Sequence, residues 1–325
     1  MPEIDKSRQL PISIIIPTLN EEDFLPRLLK SINNQRYGPL EVIVADAQSK
    51  DKTRENAQSL GAKIVEGGIL TVGRNNGAKA ASGDVLFFLD ADTVLPDDMF
   101  LKRAYDLWTE SKADVGSTLF SLDQESRTSV SASIVFSFYF LLKIISANLR
   151  RPFLESGFFQ IASKDAFESV GGFRDMPPGV PEDLDLMLRA IRAGLKYRVI
   201  PCKIHTSGRR YKNVGQSIRS IIGTLIGGIT VKRNLLQNDK LLAATTTLYG
   251  KLGGETNKDN ANEKENEDLT QNRPAFFLGK NNTLKLAITA GIIGTASLIG
   301  TGLIIATKMK KKDKKTGSNK LPKNN

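Results

Sequence analysis

The sequence contains very little cysteine and histidine, with one residue of each among 325: Cys202 and His205. One cysteine cannot form an internal disulfide bond, and it excludes a cysteine-based zinc cluster. One histidine likewise excludes a metal site built from several histidines. A metal ion in this protein would therefore be bound by oxygen atoms, which favours a hard cation such as Mg²⁺ or Mn²⁺.

Positive charge is abundant but unevenly placed. The formal net charge is +11, and residues 308–325 carry +7 of it, with eight lysines and one aspartate. This leaves +4 for the remaining chain, where basic residues interleaved with aromatic ones are sparse. The excess charge fits an anionic lipid surface at least as well as a polynucleotide. We therefore expect no nucleic-acid partner.

One apolar run near the carboxyl end contains no charged residue. Residues 286–306 (LAITAGIIGTASLIGTGLIIA) are 21 in number, and a helix of that length rises about 31 Å. This matches the hydrocarbon core of a bilayer. The sequence predicts a transmembrane helix at 284–307, preceded by a polar linker at 236–283 and followed by a Lys-rich tail at 308–325.

Two further apolar stretches lie before this run. Residues 129–149 are strongly apolar and contain Lys143. They form either a core helix or a helix that lies at a membrane surface, and the sequence favours neither. Residues 213–231 are a second apolar, amphipathic stretch.

Short β-branched runs alternate with helical patterns through the first part of the chain. The predicted strands are 12–17, 40–46, 62–67 and 84–92, and the predicted helices between them are 23–33, 49–61 and 74–83. This alternation predicts an α/β fold with a doubly wound, mostly parallel sheet. We expect Pro17 to end the first strand. In such sheets ligands bind beyond the carboxyl ends of the strands.

Aspartates follow two of these strands at that end. Asp46 closes the second strand, and the stretch FFLDADTVL (87–95) places Asp90 and Asp92 after the fourth. Carboxylates are rarely buried without partners. The stretch is therefore either a strand that ends in a polar turn or a pair of metal ligands beside a cleft, and its place at the sheet edge favours the second interpretation.

Four motifs in order resemble the family 2 glycosyltransferases, which have the GT-A fold and use nucleotide-diphosphate sugars. They are IIIPTLNEE, VADAQSKDKT, RNNGAKAASGDVLFFLDADT, and GGFR followed by PEDLDL. The resemblance covers about residues 10–235, which we interpret as the catalytic domain. A sugar nucleotide carries a diphosphate whose charge a divalent cation would neutralise as it leaves.

The resemblance implies a role for each residue at the donor end of the site. Asp92 is expected to bind the metal directly, and Asp90 to hold the ribose or the metal through water. Asp46 is expected to accept a hydrogen bond from the base, although Asp46-Ala47-Gln48-Ser49 departs from the usual Asp-Asp-Gly-Ser and leaves the base open. The other expected nucleotide-sugar-binding residues are Pro17, Thr18, Asn20, Glu21, Arg74, Arg209 and Arg210, with a surface-helix position as the alternative for Arg74.

At the acceptor end, the resemblance makes Asp183 the base that removes the acceptor proton, with Glu182 in a supporting role. The alternative is that both are helix N-terminal acids favoured by the dipole. Asp185 is expected to be structural. Gly157, Phe158 and Phe159 resemble the segment that shapes the acceptor pocket, as do Gly171 and Gly172.

The implied function is an inverting, metal-dependent transfer of one sugar to a lipid-linked or membrane-proximal acceptor. The stretch QSIRS (216–220) lacks the tryptophan of the processive signature, which argues against polymer synthesis. The alternatives are an inactive, membrane-tethered GT-A scaffold and a nucleotidyltransferase-like enzyme.

The expected location is a single-pass membrane protein with its catalytic domain on the cytoplasmic face. The first ten residues are polar and show no secretory signal peptide, and nucleotide sugars are cytoplasmic. A full crossing would place the Lys-rich tail outside, against the positive-inside tendency, so the side of the tail stays open.

Overall fold

A computed structural model describes residues 8–124, 126, 130–150, 152, 157–176, 181–209 and 231. The described strands are β1 (Gln9–Thr18), β2 (Gly38–Asp46), β3 (Lys63–Glu66), β4 (Val85–Leu89), β5 (Thr93–Val94), β6 (Val115–Leu122), β7 (Phe159–Ser163) and β8 (Tyr197–Thr206). The described helices are α1 (Leu25–Asn33), α2 (Thr53–Ser59), α3 (Leu70–Ala80), α4 (Phe100–Ser111), α5 (Val130–Leu149), α6 (Lys164–Ser169) and α7 (Glu182–Arg192). The predicted α/β alternation is confirmed.

The described strands form one mixed sheet in the order β3-β2-β1-β4-β7-β6-β8-β5. The pairs β2–β3, β1–β2, β1–β4 and β6–β8 are parallel, whereas β4–β7, β6–β7 and β5–β8 are antiparallel. The sheet is therefore less uniformly parallel than predicted, because β7 enters between β4 and β6 in the opposite direction. Both β1 and β4 still deliver their carboxyl ends to one edge.

Both faces of the sheet are buried, which explains the continuous apolar runs in the strands. Ile14 and Phe87 pack in one core with residues of α1, α4 and α5. Ile15 and Phe88 point the other way and pack with residues of α3, α6 and α7. Helices on both faces leave the strand ends as the open part of the sheet.

Pro17 does not end the first strand as predicted. β1 continues to Thr18, which pairs with Asp46 of β2. Proline lacks the amide hydrogen that a ladder uses, but β4 pairs with β1 only from Ile12 to Ile15. Pro17 therefore lies beyond that pairing, where β1 projects toward the open edge.

Helix α5 packs its inner face against the sheet. Val135, Phe136 and Leu142 are buried in the same core as the β-strands, whereas Leu141 and Leu149 are exposed. The core interpretation is thus confirmed for the inner face.

No helix in the part of the chain that the structure describes is long and apolar enough to cross a membrane. The predicted helix at 284–307, the linker at 236–283 and the tail at 308–325 lie outside the described residues, as does 213–230. They remain predictions.

Candidate active site

Arg74 is the centre of the site. It lies on α3, which approaches β1 closely because Gly77 has no side chain: a Cβ there would collide with Ile15. The Arg74 side chain is 1% exposed. It is therefore buried, contrary to the surface-helix alternative.

The guanidinium of Arg74 joins segments that are far apart in sequence. Its Nη1 donates to Oε1 of Glu182 at 2.8 Å, and its Nη2 donates to Oδ1 of Asp90 at 3.0 Å. Nη2 also lies 3.3 Å from the carbonyl oxygen of Gly157. The ring of Phe173 lies 5.2 Å from the guanidinium carbon, within cation–π distance. The contacts bring the end of β4 and the start of α7 to one point.

The charge state of Arg74 follows from these neighbours. Burial lowers its pKa, but the carboxylates of Asp90, Glu182 and Asp183 outweigh burial and raise the pKa above its ordinary value. Arg74 is therefore a permanent cation among three acids. Its Nε is buried without a hydrogen-bond partner.

Asp183 belongs to the same cluster. A Cβ atom at Gly157 would lie 2.9 Å from Nη2 of Arg74 and 3.5 Å from Oδ2 of Asp183, so both side chains face this one backbone position. Asp183 is 4% exposed, and its Oδ1 accepts a hydrogen bond from the amide of Leu184 at 2.9 Å. The absence of a side chain at Gly157 makes room for Arg74.

The first turn of α7 separates its acids into two roles. Glu182, Asp183 and Asp185 all lie in this turn, where the helix dipole favours negative charge. Asp185 points to Arg189, whose Nε donates to its Oδ2 at 2.7 Å. Arg189 also donates to the carbonyl oxygen of Gly172. This ion pair agrees with the prediction that Asp185 is structural.

Asn75 is a residue that sequence reasoning missed. Its side chain accepts from the amide of Phe173 at 2.9 Å and donates to the carbonyl of Phe173 at 2.8 Å. Gly171 and Gly172 precede Phe173 in the sequence and have φ of +76° and +65°, a conformation that glycine adopts readily. They form a tight turn that holds Phe173 against α3. The sequence feature that could have indicated Asn75 is its place directly after Arg74 in the RNNG motif.

A second cluster surrounds Arg209. Its Nε lies 3.1 Å from Oδ2 of Asp92, and its Nη2 donates to Oε1 of Glu21. The guanidinium also stacks over Phe24 at 4.3 Å from the ring centre, a contact that the sequence did not predict. Arg209 thus joins the β1–α1 loop, the loop after β4 and the end of β8. Arg210 lies outside the described residues.

Asp46 is completely buried and held by the protein itself. It accepts from Thr18 Oγ1 at 3.1 Å, from Ser49 Oγ at 2.5 Å and from Arg54 Nη1 at 3.2 Å. Asn20, with φ of +53°, accepts from the amide of Lys50 through its Oδ1. These bonds fix the loops after β1 and β2 beside each other. The role of Asp46 toward a base stays a prediction.

The predicted acceptor residues differ in their surroundings. Phe158 is partly buried and stacks on Phe136 of α5, with ring centres 5.7 Å apart. Phe159 is 1% exposed and packs edge-on against Phe87 in the core. Its side chain therefore supports β7 rather than facing the opening. His205 is the last residue but one of β8, and its Nδ1 lies 2.7 Å from Oγ of Ser121 on β6.

The residues present fit a hard cation held together with substrate phosphates. Within the described ranges, no group of three or more acidic, histidine or cysteine side chains forms a ready metal cage. Mg²⁺ usually takes only one or two carboxylates, completing its shell with water and phosphate, and Asp90 and Asp92 offer such oxygens. Oε2 of Glu21, beside the Arg209 that contacts Asp92, is buried without a hydrogen-bond partner.

Comparison with known proteins finds similar sequences and a similar fold. Residues 13–171 match the family described as Glycosyl transferase family 2. A 4,4'-diaponeurosporenoate glycosyltransferase of Staphylococcus haemolyticus is 39% identical over 100 residues, which cover 28% of this chain and 26% of the relative. A dolichol-phosphate mannosyltransferase of Pyrococcus furiosus is 35% identical over 114 residues, which cover 33% and 32%.

A third relative is the GalNAc(5)-diNAcBac-PP-undecaprenol beta-1,3-glucosyltransferase of Campylobacter jejuni, 35% identical over 95 residues that cover 26% of this chain and 30% of the relative. The chain thus spans about a third or less of the length of these relatives. The mannosyltransferase PcManGT from Pyrobaculum calidifontis, solved with GDP-Man and Mn²⁺, shares the fold with a TM-score of 0.58 at 16% identity, covering 90% of this chain and 83% of that one.

Residues 13–171 match glycosyl transferase family 2, which confirms the resemblance of the three motifs that lie within this range. The fold is that of the GT-A glycosyltransferases. The family match ends before α7. The assignment of Asp183 and Glu182 to the candidate site therefore rests on the geometry around Arg74.

Proposed function

We propose that this protein is an inverting glycosyltransferase that moves one sugar from a nucleotide-diphosphate sugar to a lipid-linked or membrane-proximal acceptor, with Mg²⁺ or Mn²⁺. The observation that carries the proposal is the contact of Arg74 with both Asp90 and Glu182. It joins the donor end and the acceptor end of the site, and Asp183 faces the same point.

The donor would lie over the carboxyl ends of β1, β2 and β4. Pro17 and Thr18 end β1, Asp46 ends β2, and Asn20 and Glu21 lie in the loop after β1. The hydrogen bonds of Thr18, Asp46, Asn20 and Glu21 hold this edge in place before a ligand arrives. Arg209 presents a planar cation suited to two phosphate oxygens. Asp92 and Asp90 would hold the divalent cation, which when bound neutralises charge on the departing diphosphate.

Asp183 would act as the general base. It accepts the proton of the acceptor hydroxyl while that oxygen bonds to the anomeric carbon. The bond from the anomeric carbon to the diphosphate oxygen breaks on the opposite face, and its electron pair leaves with the nucleoside diphosphate. Attack opposite the leaving group inverts the anomeric configuration. Arg74 holds the carboxylates of Glu182 and Asp90 at fixed positions beside Asp183.

The acceptor class is inferred from two features. The names of two relatives specify dolichol phosphate and a PP-undecaprenol-linked glycan. In this chain, Phe158 is partly exposed next to Gly157 and packs on the buried rings of Phe136 and Phe120, which gives the acceptor side an aromatic wall. A lipid-linked acceptor suits such a wall and the apolar sequence at 286–306.

A panel of nucleoside diphosphates and their sugars tests the proposal, with and without Mn²⁺. Binding of the correct nucleotide should raise the melting temperature in proportion to occupancy, and the matching sugar nucleotide should be hydrolysed slowly or transferred. Turnover of no sugar nucleotide by a folded protein that binds nucleotide would favour an inactive scaffold instead. Release of pyrophosphate from a nucleoside triphosphate would favour a nucleotidyltransferase.

A further inference from the structure

The carboxylate of Asp46 makes as many hydrogen bonds as its oxygens can accept. Its Oδ1 accepts from Oγ1 of Thr18 at 3.1 Å and from Oγ of Ser49 at 2.5 Å. Its Oδ2 accepts from the amide of Ser49 at 3.1 Å and from Nη1 of Arg54 at 3.2 Å. An ionised carboxylate offers about four lone-pair sites, and these four bonds fill them. A base could bind Asp46 only by displacing one of the four.

The loop after β2 has the shape that these bonds need. Gln48 occupies the glycine position of the usual Asp-Asp-Gly-Ser and has φ of +59°, in the left-handed region that favours glycine. The turn returns Ser49 to Asp46, where both its amide and its hydroxyl bind. The amide of Asn20 donates to the same hydroxyl at 2.9 Å. The chain therefore keeps this turn without the glycine, and the carboxylate stays occupied.

Arg54 is the accessible member of this cluster. It lies in the first turn of α2, and its side chain is 49% exposed, whereas that of Asp46 is 0% exposed. A guanidinium has five N–H donors. Within the described part of the chain, one of these donors is used, in the bond to Asp46. That bond fixes the position of the guanidinium and leaves its other donors to a ligand.

The start of α2 belongs to the same edge of the sheet as the rest of the donor site. Oγ1 of Thr53, next to Arg54, accepts from the amide of Glu21 at 2.7 Å. Glu21 in turn binds Arg209, which contacts Asp92. In the sheet, β1 separates β2 from β4. Neighbouring strands lie about 4.8 Å apart, so the ends of β2 and β4 are separated by roughly 10 Å. This distance leaves room for a ribose between a base at Arg54 and a diphosphate at Arg209.

The nucleobases differ in what they offer to a guanidinium. Guanine carries two adjacent acceptors, O6 and N7, and an arginine binds both with two parallel hydrogen bonds. Adenine has a donor, its amino group, beside N7, and cytosine has an amino group where uracil has O4. The O4 of uracil is a single acceptor beside N3–H, which is a donor that needs an acceptor of its own. Guanine is therefore the base that Arg54 can bind without a contribution from Asp46.

We propose that Arg54 recognises the base of the donor and that this base is guanine, so that the donor is a guanosine-diphosphate sugar. This inference rests on the proposed function and specifies its substrate. The guanidinium donates to O6 and N7 of guanine, and Asp46 holds the guanidinium in place through their ion pair. Arg54 is then a specificity-determining residue, and Asp46 is a positioning residue.

Four nucleotides test the proposal on the unaltered protein with Mn²⁺, by isothermal titration calorimetry. They are GDP, UDP, 7-deaza-GDP, in which a carbon replaces N7, and inosine diphosphate, which keeps O6 and N7 but lacks the amino group. GDP should bind roughly tenfold or more tightly than UDP. It should also bind about tenfold more tightly than 7-deaza-GDP, because one hydrogen bond to a charged group is lost. Inosine diphosphate should bind as tightly as GDP.

Three results would overturn the proposal. Tighter binding of UDP than of GDP would exclude guanine as the preferred base. Equal binding of GDP and 7-deaza-GDP would show that N7 is not contacted. Much weaker binding of inosine diphosphate than of GDP would place an acceptor against the amino group, on a different edge of the base.

Arg54→Gln tests the residue itself. Its affinity for GDP should fall to that of the parent for 7-deaza-GDP, and the variant should bind these two nucleotides equally. Arg36→Gln is the matched control, since Arg36 also forms an exposed ion pair, with Asp98, but precedes β2 at its amino end. This control should keep the affinities of the parent. Melting temperatures without nucleotide check that both variants fold. A folded Arg54→Gln that still prefers GDP to 7-deaza-GDP contradicts the proposal.

Turnover separates this inference from the proposed function. If the protein transfers sugar from a uridine-diphosphate sugar and not from a guanosine-diphosphate sugar, the proposed function stands and the assignment of guanine fails. If it binds no nucleoside diphosphate, both fail.

Discussion

Arg74 and Asp90 form an ion pair of 3.0 Å in which the arginine is almost completely buried. Asp90 directly follows β4, and Arg74 reaches it from α3, the helix that precedes that strand. The same guanidinium also binds Glu182, 108 residues from Arg74. Arg74 therefore fixes the distance between Asp90 at the donor end of the site and Glu182 at the acceptor end.

Asp183→Asn should abolish sugar transfer and leave nucleotide binding intact. The amide keeps the size of the side chain but cannot accept the proton, and loss of a general base costs roughly 10²- to 10⁴-fold in rate. Steady-state kinetics and a thermal shift with nucleotide measure the two properties. Loss of both together would give Asp183 a binding role instead.

Asp185→Asn is the matched control, two residues along the same helix. Its partner Arg189 would stay buried without its charge partner, which costs about 3–5 kcal/mol in the free energy of unfolding. Denaturant unfolding should show this loss, and kcat of the remaining folded protein should be near that of the parent. A normal stability with lost kcat would exchange the roles of the two aspartates.

Arg74→Met should destabilise the domain by about 3–5 kcal/mol, because Asp90 and Glu182 lose their common partner. Arg74→Lys should recover only part of this stability, since one ammonium group cannot reproduce the fork that contacts two carboxylates and the carbonyl of Gly157. Urea unfolding of the parent, Arg74→Lys and Arg74→Met should give free energies of unfolding that decrease in this order. Full recovery by lysine would show that charge alone matters at this position.

Arg209→Ala should weaken binding of the nucleoside diphosphate and strengthen binding of Mn²⁺ alone. A hydrogen bond to a charged group contributes about 1.5–3 kcal/mol, which corresponds to roughly tenfold or more in nucleotide affinity. Asp92 is freed at the same time from its 3.1 Å contact with Arg209 and becomes available to the cation. Isothermal titration calorimetry measures both affinities. A parallel loss of both would contradict a competition between Arg209 and Mn²⁺ for Asp92.

Cys202 should make stability depend on alkaline pH. Burial raises the pKa of its thiol from an ordinary value near 9.0 to about 12 in the folded protein. The unfolded chain therefore loses this proton first, and stability falls as pH rises from about 9 toward 12. The slope is at most about 1.4 kcal/mol per pH unit.

Comparison of the parent protein with Cys202→Ala isolates this effect from that of other titrating groups. The difference between their unfolding free energies should be constant below pH 9 and should shift in favour of the variant at pH 10. A difference that stays constant across this range would mean that the thiol reaches solvent in the folded state.

The order of strands and helices could be predicted because each depends on residues that are close in sequence. Short β-branched and apolar runs marked the strands, and the acids at the ends of β2 and β4 then had to lie at one edge. The direction of β7 could not be predicted, since it depends on the return path after α5. For that reason the side chain of Phe159, expected at the acceptor pocket, lies in the core beside Phe87.

The sequence by itself determined the alternation of elements, the motifs of the family and the acids available for catalysis, because these depend on local chemistry. Only the tertiary structure decided which charges meet: Arg74 with Asp90 and Glu182, and Arg209 with Asp92 and Glu21. A buried charge is tolerated only where the fold supplies an opposite charge. Those partners come from segments up to 188 residues apart, a separation that no local pattern records.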